Sequence, residues 1–239
     1  MLSGRRYSCI VEICDRKSLI ATGTSANAID WAVKSGQISA PFRGVYGPSG
    51  PLPRRELIKA ALMTQPPGTL VSHRTAAALH GFPWIPDAWS EVDAPVDLTV
   101  AVTDGRRQRA GLRIRRSTLC DHPTTTVDGM QITSPPRTLI DLVRERDVSR
   151  FQGLQLLDGA VRFGHCTIAQ LNEEVTRATG TRRVRSARQL VALARDGVDS
   201  PQESRLRLIL IDGGIRPTDP TSVNLVRSRR ARDRGERVA

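Results

Sequence analysis

The segment covering residues 24–46 places the tightest constraint on how this chain can fold. It begins with a stretch of helical spacing in which Ile29 and Val33, four residues apart, share one helix face. Thr24 or Ser25 can start that helix, because a hydroxyl oxygen accepts hydrogen bonds from the free N–H groups of a first turn. A Ser-Gly pair ends the helix, since glycine readily adopts a left-handed conformation. The pattern predicts a short amphipathic helix with a defined start and end.

Two short strands and an earlier apolar segment complete the pattern around this helix. Residues 37–39 and 44–46 are typical of short strands and flank a Pro-Phe-Arg turn, while residues 10–20 carry periodic apolar side chains. Helix, turn, helix and hairpin is the order of a winged helix-turn-helix, whose second helix enters the DNA major groove while the hairpin lies along the backbone. We therefore predict a winged helix-turn-helix DNA-binding domain over residues 5–50.

Four side chains of this domain are candidate DNA contacts. Asn27 can pair with an adenine edge and Lys34 can meet a phosphate, while Arg43 lies at the hairpin turn, within reach of a phosphate or the minor groove. Asp30 is unfavourable on such a helix, because a carboxylate that faces phosphates lowers affinity. A solvated turn residue is the alternative for Arg43. The predicted contacts are Ser25, Asn27, Lys34 and Arg43.

The net charge favours a polyanionic partner but is unevenly distributed. It is +12 overall, with +5 in residues 1–60, −3 in residues 61–100 and +10 in the remainder. Phosphate contacts gain from counterion release, so a basic chain of this kind suits nucleic acid. Only three of the 36 basic residues are lysine, which is typical of a GC-rich bacterial genome. The arginine content alone therefore does not establish recognition.

Residues 53–195 predict a mixed α/β domain with a helical C-terminal part, so the whole chain is predicted to be α+β. Residues 96–102 alternate apolar and polar side chains, which predicts a half-buried strand. Ser72 and Thr167 are predicted helix caps, the latter in a capping box with Gln170. The predicted strands are 69–71, 96–102, 112–115 and 130–133, and the predicted helices are 53–63, 73–80, 135–143, 151–161, 168–178 and 183–194.

A local surplus of arginine lies ahead of and within one predicted strand. Arg113 and Arg115 share a face of that strand, and Arg106 and Arg107 precede it. These side chains can contact nucleic acid or an acidic face of a toxin. A solvated strand edge, which basic side chains protect from aggregation, is the alternative. A second group of arginines, in residues 182–188, is interpreted as a solvated helix face.

No pattern for catalysis, a metal or a cofactor is recognisable. None of the four cysteines forms a Cys-x-x-Cys pair, and His73 and His80 lie too far apart to share a metal easily, so capping and packing roles are predicted. No apolar run approaches the roughly 20 residues of a membrane span, and the N-terminus lacks a signal peptide. We expect a cytoplasmic protein that is not an enzyme and uses no cofactor, metal, membrane or small-molecule substrate.

The last part of the chain contains one more predicted helix. Ser200 is its predicted cap, a proline takes the first helical position, and Glu203 lies where a capping box needs it. The helix belongs to a short segment over residues 199–214. Residues 215–239 are rich in Arg, Asp and Glu without an apolar face, and they are predicted to form a disordered basic tail.

Three segments together resemble one protein family. They are residues 44–46 (Gly-Val-Tyr), 72–81 (Ser-His-Arg-Thr-Ala-Ala-Ala-Leu-His-Gly) and 134–142 (Ser-Pro-Pro-Arg-Thr-Leu-Ile-Asp-Leu). Over residues 7–195 the chain resembles the AbiEi-type antitoxins of actinobacteria, the regulatory halves of type IV toxin–antitoxin systems linked to phage defence. The resemblance implies a winged domain that binds its own promoter and an α/β domain, residues 53–195, that helps to neutralise a nucleotidyltransferase toxin.

Residues 200–208 further resemble the first helix of Vsr-like (very-short-patch-repair) endonucleases. The sequence then departs from that family, because no strand carrying an Asp is recognisable after residue 214 and no Lys follows residue 59. Such a nuclease needs an acidic cluster to hold Mg²⁺. The resemblance therefore implies an endonuclease remnant over residues 199–214, in which Glu203 acts as a cap.

The leading prediction is a DNA-binding antitoxin and transcriptional autorepressor that occupies an inverted repeat at its own promoter as a dimer. Two alternatives stay open. One is a truncated, inactive Vsr-like endonuclease. The other is an interaction protein that docks a toxin without specific DNA binding, which the low net charge of residues 1–100 favours.

Overall fold

The computed structural model describes residues 12–104, 109–118 and 123–215. Within those ranges the chain forms two β-sheets and nine α-helices, so the predicted α+β class is confirmed. Several predictions fall outside the described residues. They concern the basic tail apart from its first residue, the segment before residue 12, Arg106 and Arg107, and Cys9 and Cys120.

The N-terminal unit consists of two helices and a three-stranded antiparallel sheet. β1 (Cys14–Asp15) leads directly into α1 (Arg16–Ala21), and α2 (Ala26–Lys34) follows after a short turn. β2 (Ile38–Phe42) and β3 (Val45–Pro48) form a hairpin, and β3 lies between β1 and β2. The predicted order of helix, turn, helix and hairpin is therefore present.

Capping side chains determine where the two helices of this unit begin. The carboxylate of Asp15 accepts a hydrogen bond from the Ser18 N–H at 2.7 Å, and the Ser25 hydroxyl accepts one from the Ala28 N–H at 3.3 Å. Each bond satisfies one of the N–H groups that a helix leaves free in its first turn. Ser25 is therefore the cap of α2.

The hairpin turn is tighter than the sequence predicted. β2 extends through Phe42, so only Arg43 and Gly44 connect it to β3. Gly44 has a φ of +85°, a conformation that glycine adopts without steric cost. Arg43 is consequently held at the tip of the hairpin, where its side chain is exposed.

A five-stranded mixed sheet forms the centre of the molecule. Its strands are β4 (Leu70–Val71), β5 (Val96–Ala101), β6 (Leu112–Ser117), β7 (Thr124–Val127) and β8 (Met130–Thr133), in the order β6-β5-β4-β8-β7. The β5–β6 and β4–β8 pairs are parallel, and the β4–β5 and β7–β8 pairs are antiparallel. β6 is an edge strand, and β7 was not predicted because its three consecutive threonines show no alternation.

The prediction that β5 is half-buried is wrong. Val96, Leu98 and Val100 face the hydrophobic core, but Asp97 and Thr99 on the opposite face are buried as well. The polar face packs against α4 (His73–Leu79), where Thr99 donates to Ser72 and one oxygen of Asp97 accepts from Arg115, while the other Asp97 oxygen has no hydrogen-bond partner among the described residues. The alternation in the sequence therefore reflected two buried faces of different chemistry, and not one buried and one solvent-exposed face.

The remaining helices cover the sheet and build a helical layer beside it. α3 packs against β2, β3, β4 and β5, while α4 packs against α5, β5 and β8. α5 contacts α6, α7 and α8, and α6 also contacts α8 and α9. The helices are α3 (Arg54–Met63), α4 (His73–Leu79), α5 (Pro135–Val143), α6 (Arg150–Arg162), α7 (Ile168–Arg177), α8 (Val184–Leu193) and α9 (Pro201–Asp212).

Three hydrophobic clusters hold these layers together. The largest joins the buried faces of α5 to α9, and the second joins α3 to the five-stranded sheet. A small third cluster within the N-terminal unit includes Leu19, Ile29 and Ile38. Phe42 and Val45 of the hairpin belong to the second cluster. The hairpin therefore packs on the central sheet as well as on its own helices.

A buried carboxylate joins α9 to α6. Asp158 of α6 accepts hydrogen bonds from the Ser204 hydroxyl at 2.6 Å and from the Arg195 N–H at 2.9 Å, and it forms an ion pair with Arg207. The Asp158 side chain is 0% exposed. A charge in that position is tolerated because donors surround it on several sides.

The start of α9 differs in one detail from the predicted capping box. Ser200 caps the helix by accepting the Glu203 N–H at 3.3 Å, as expected. The Glu203 carboxylate, however, accepts the N–H of Asp199 at 3.0 Å rather than that of the cap residue. The predicted box at Thr167 and Gln170 is confirmed in both hydrogen bonds.

Candidate functional site

The outward face of α2 carries a stripe of exposed side chains. Asn27, Trp31 and Lys34 lie at positions i, i+4 and i+7, and the Trp31 residue is 54% exposed. On the opposite side of the helix, Ile29 and Ala32 are 0% exposed. α2 is therefore held by one face and leaves the other free, which is the arrangement a helix needs to enter a groove.

Asp30 does not present a free negative charge on this surface. Its two carboxylate oxygens accept hydrogen bonds from the Arg16 guanidinium at 2.9 and 3.2 Å, and Arg16 also donates to the Tyr46 hydroxyl at 2.9 Å. The bond from Arg16 holds the pKa of Asp30 below its usual range. Because the guanidinium offsets the carboxylate, the unfavourable effect expected of Asp30 is reduced.

The four predicted DNA contacts lie on this unit at different places. The Ser25 hydroxyl is occupied as the cap of α2, although the residue is exposed. Asn27 and Lys34 are on the outward stripe, and Arg43 is at the hairpin tip. Within the described part of the chain, neither Lys34 nor Arg43 is paired with a carboxylate. Their DNA contacts stay predictions.

A cleft of about 640 Å³ opens between β6, the C-terminal end of α5 and the start of α8. We call it the arginine cleft, because seven arginines line it against two carboxylates. Most of its walls come from three segments that are distant in sequence, namely residues 114–118, 137–146 and 181–183, and His73, Thr99 and Val102 complete the lining. The arginines are Arg115, Arg116, Arg137, Arg144, Arg146, Arg182 and Arg183, and the carboxylates belong to Asp141 and Glu145.

A continuous hydrogen-bond network lies beneath one side of the arginine cleft. The Thr99 hydroxyl bonds to the Ser72 hydroxyl at 2.8 Å, which lies 2.9 Å from His73 Nδ1. The other ring nitrogen of His73 is 3.3 Å from the Glu145 carboxylate, to which Arg115 Nε donates at 2.7 Å. These contacts indicate that Nε2 of His73 carries the proton, since Nδ1 then accepts from Ser72.

Two carboxylates fix the position of Arg115. Besides Glu145, the guanidinium donates to Asp97 at 2.6 Å. The hydrogen bond from His73 and the charge of Arg115 lower the pKa of Glu145 to about 2, so the ion pair persists at neutral pH. Arg115 was predicted as a surface contact for nucleic acid or a toxin. In the structure it is half-buried, lines the cleft and is held by both carboxylates, and its contact with a partner stays a prediction.

A second set of ion pairs lies along α5. Arg137 Nε donates to Asp141 at 2.7 Å, and its terminal nitrogen donates to the Ser117 hydroxyl at 3.1 Å. Arg144 donates to Asp141 at 3.1 Å and to the backbone oxygen of Arg182 at 2.9 Å. These bonds connect α5 to β6 and to the segment before α8, so the walls of the cleft are mutually fixed.

Sequence reasoning identified part of this cleft and missed the rest. Arg113 is exposed on the edge strand outside the cleft, whereas Arg182 and Arg183, interpreted as a solvated face, lie on its wall. Arg137 and Arg144 were missed. Their signal was the polar stripe that they form with Asp141, at positions i, i+4 and i+7 of an otherwise apolar helix.

The series Ser72, His73 and Glu145 resembles the nucleophile, base and acid of a catalytic triad. Its serine hydroxyl, however, is not accessible to a substrate. Ser72 is 0% exposed, and its hydroxyl is occupied by Thr99 and His73. No substrate atom can therefore approach it. Ser72 was predicted to cap α4; it occupies the cap position, but its side chain makes no capping hydrogen bond.

His80 has the packing role that the sequence predicted. Its Nε2 lies 2.8 Å from the Thr133 backbone oxygen, and its ring stacks on Phe82. Among the described residues, no three His, Cys, Asp or Glu side chains are grouped so that they could hold a metal ion. No helix in the described part of the chain is long and apolar enough to cross a membrane.

Comparison with known proteins assigns this fold to a family. The family model of the AbiEi antitoxin C-terminal domain matches residues 68–193. This range contains all five strands of the central sheet, β4 to β8, and the helices α4 to α8. The arginine cleft and the network beneath it lie within this match. The chain belongs to the family of proteins that contain the AbiEi antitoxin C-terminal domain.

Relatives and a solved structure extend the likeness beyond that domain. Two uncharacterised proteins of Mycobacterium tuberculosis, MT2308 and Rv2248, are each 31% identical over 193 residues, covering 78% of this chain. The chain spans 65% of the length of these relatives. The crystal structure of the RV2827C protein from Mycobacterium tuberculosis is similar in fold, with a TM-score of 0.52 at 14% identity over 89% of this chain and 79% of that one.

Proposed function

We propose that this protein is the antitoxin of a toxin–antitoxin pair and that it represses its own promoter by binding DNA through the N-terminal unit. Membership of the AbiEi antitoxin family supports the antitoxin role. The observation that carries the DNA-binding role is the outward face of α2, which is exposed beside a hairpin whose tip presents Arg43. We infer that the unit is a winged helix-turn-helix in which α2 is the recognition helix and the hairpin is the wing.

Charge and packing support this docking. The ion pair between Arg16 and Asp30 offsets the one carboxylate on α2, and it ties α1 to α2 at the same time. Lys34 at the end of α2 and Arg43 on the hairpin are then free to meet phosphates on either side of the groove. Phe42 and Val45 anchor the hairpin to the central sheet, so the wing is held in a defined position.

Removing the two predicted phosphate contacts is expected to weaken binding to every DNA sequence. Lys34→Ala combined with Arg43→Ala should reduce affinity for the native upstream duplex about tenfold or more. The slope of the logarithm of the binding constant against the logarithm of salt concentration should become shallower by about one unit for each lost contact. Asn27→Ala should instead reduce the preference for the native duplex over a scrambled one. Fluorescence anisotropy of the full chain with both duplexes, at two salt concentrations, measures both effects.

Arg185→Ala combined with Arg195→Ala is a suitable control, because both residues are exposed, lie far along the chain from α2, and together remove two positive charges as the test variant does. It should leave affinity and salt slope nearly unchanged. The DNA-binding role would be wrong if the full chain bound native and scrambled duplexes equally, or if the control weakened binding as much as the variants in the N-terminal unit.

The antitoxin role predicts that this protein restores growth of cells that express a cognate nucleotidyltransferase-type toxin, and that the pair limits phage infection. Rescue should persist in the Lys34→Ala, Arg43→Ala variant while promoter repression is lost, because we assign neutralisation to the AbiEi domain. The test compares the growth of cells under three conditions: with the toxin alone, with the toxin and the wild-type protein, and with the toxin and this variant. Failure of the wild type to rescue growth would refute the role.

The endonuclease alternative is not adopted, because α9 has structural uses for the residues in question. Glu203 accepts the Asp199 N–H at the start of α9. Ser204 and Arg207 face Asp158 and fasten the helix to α6. These contacts explain α9 as part of the helical layer without a catalytic role.

A further inference from the structure

We propose that the arginine cleft is a binding site for a short chain of phosphate groups, as in a nucleoside triphosphate or inorganic tripolyphosphate, and that it binds the phosphates without reading a base. The site lies in the α/β domain, apart from α2 and the hairpin. The proposal therefore goes beyond the DNA-binding function and does not depend on it.

The charge of the cleft is the first argument. Seven guanidinium groups line it against two carboxylates, and two further carboxylates, Asp97 and Glu174, lie behind the floor. The balance is positive even when all four are counted. A guanidinium fork binds phosphate oxygens through two parallel hydrogen bonds, which makes arginine the side chain best suited to such a ligand.

The arrangement of the arginines is the second argument. Arg115, Arg137 and Arg144 form a floor, and each is held in place by carboxylates. The four on the rim, Arg116, Arg146, Arg182 and Arg183, have no carboxylate partner among the described residues. Floor residues that are already fixed lose little freedom when a ligand binds, and rim residues without partners are available to meet its charge.

The start of α8 lies next to the same wall. Arg183 is the cap residue of this ten-residue helix, and no side chain caps it. Thr181, Arg182 and Arg183, which lead into the helix, line the cleft. The positive end of the α8 dipole therefore lies beside Arg182 and Arg183, neither of which has a carboxylate partner in the described part of the chain, a combination that favours an anion.

Size and lining chemistry decide between ligand classes. A volume of about 640 Å³ suits a small molecule rather than a duplex or a folded partner. Among the described lining residues the one aromatic ring is that of His73, which is 6% exposed and has both nitrogens engaged by Ser72 and Glu145, so it offers a base almost no surface on which to stack. The phosphates are consequently the part of the ligand that is recognised.

Calorimetry of the full chain with five ligands tests the proposal. Tripolyphosphate, ATP and GTP are expected to bind with similar dissociation constants. AMP should bind about tenfold more weakly or worse, because it offers fewer charge-assisted hydrogen bonds. A short single-stranded oligonucleotide is the fifth arm and should bind more weakly than tripolyphosphate. Titrations at low and at physiological salt separate the site from diffuse electrostatic attraction.

A matched pair of double variants locates the site. Arg146→Gln with Arg182→Gln removes two exposed rim charges and should weaken tripolyphosphate binding about tenfold or more. Arg113→Gln with Arg195→Gln removes the same charge from exposed positions outside the cleft and should leave binding within about twofold of the wild type. Thermal unfolding without ligand confirms that both pairs fold.

Three results would overturn the proposal. The first is a strong preference for ATP over GTP and tripolyphosphate, which would mean that a base is read. The second is an equal loss of affinity in both double variants, which would mean that only overall charge matters. The third is tighter binding of the oligonucleotide than of tripolyphosphate that is lost in the Arg146→Gln, Arg182→Gln variant, which would identify the cleft as part of a nucleic-acid surface.

Discussion

Replacing Asp158 with alanine is expected to lower the free energy of unfolding by about 3–5 kcal/mol. The wild-type carboxylate is 0% exposed and accepts hydrogen bonds from Ser204 and from the Arg195 N–H while it pairs with Arg207. Its removal leaves the Ser204 hydroxyl without an acceptor in a fully buried position and leaves Arg207, only 16% exposed, without its counter-charge. Unsatisfied buried groups of this kind are among the most costly single changes in a protein.

The same two helices provide a matched control. Arg150 of α6 and Asp212 of α9 also form an ion pair, but their side chains are 47% and 48% exposed. Asp212→Ala should therefore cost less than about 1 kcal/mol, because water screens and replaces an exposed pair. Denaturant unfolding followed by circular dichroism compares the two variants. If they lost equal stability, the assignment of α9 docking to Asp158 would be contradicted.

Asparagine at position 158 separates charge from hydrogen bonding. Asp158→Asn keeps one oxygen for the Arg195 N–H, but its amide nitrogen is a donor where the wild type offers an acceptor to Ser204 and Arg207. We expect its stability to lie between those of the wild type and the alanine variant. Because Arg207 belongs to α9, loss of its ion pair with Asp158 should make α9 open locally before the other helices. Faster amide hydrogen exchange in α9 than in those helices would detect this opening.

Local elements were predictable from sequence because the signals that start and end them are themselves local. The Ser25 cap lies within three residues of the N–H group that it satisfies, and the Thr167–Gln170 box is closed within one turn. The same holds for the hairpin, whose ends lie close together in sequence. In these places propensity, periodicity and capping agree with the fold.

The arginine cleft was not predictable in the same way, because its walls meet only after the sheet and helices have assembled. Arg115 pairs with Glu145 across 30 sequence positions, and Arg144 reaches the backbone of Arg182 across 38. Burial of the polar face of β5 has the same origin. Asp97 looked like an outward-facing residue until the position of Arg115 on the neighbouring parallel strand was known.

Replacing Arg137 with alanine is the second change for which we expect a loss of about 3–5 kcal/mol. The side chain is 4% exposed and lies between Asp141 and Glu174, both of which are buried. It also donates to Ser117 of β6, so one guanidinium joins α5, α7 and the edge strand. Alanine removes the positive charge from two buried carboxylates and leaves a cavity where the long side chain lay.

Two further variants show whether charge or geometry is responsible. Arg177 pairs with the same Glu174 from an exposed position, with 47% of its side chain in contact with solvent, so Arg177→Ala should cost less than about 1 kcal/mol. Arg137→Lys keeps the charge but cannot reach Asp141, Glu174 and Ser117 at once, because an ammonium group is compact where a guanidinium is forked. We expect it to recover only part of the lost stability. Equal stability of the Arg137→Ala and Arg177→Ala variants in denaturant unfolding would show that the buried guanidinium does not hold these elements together. Full recovery of stability in the Arg137→Lys variant would show that the positive charge alone holds them together.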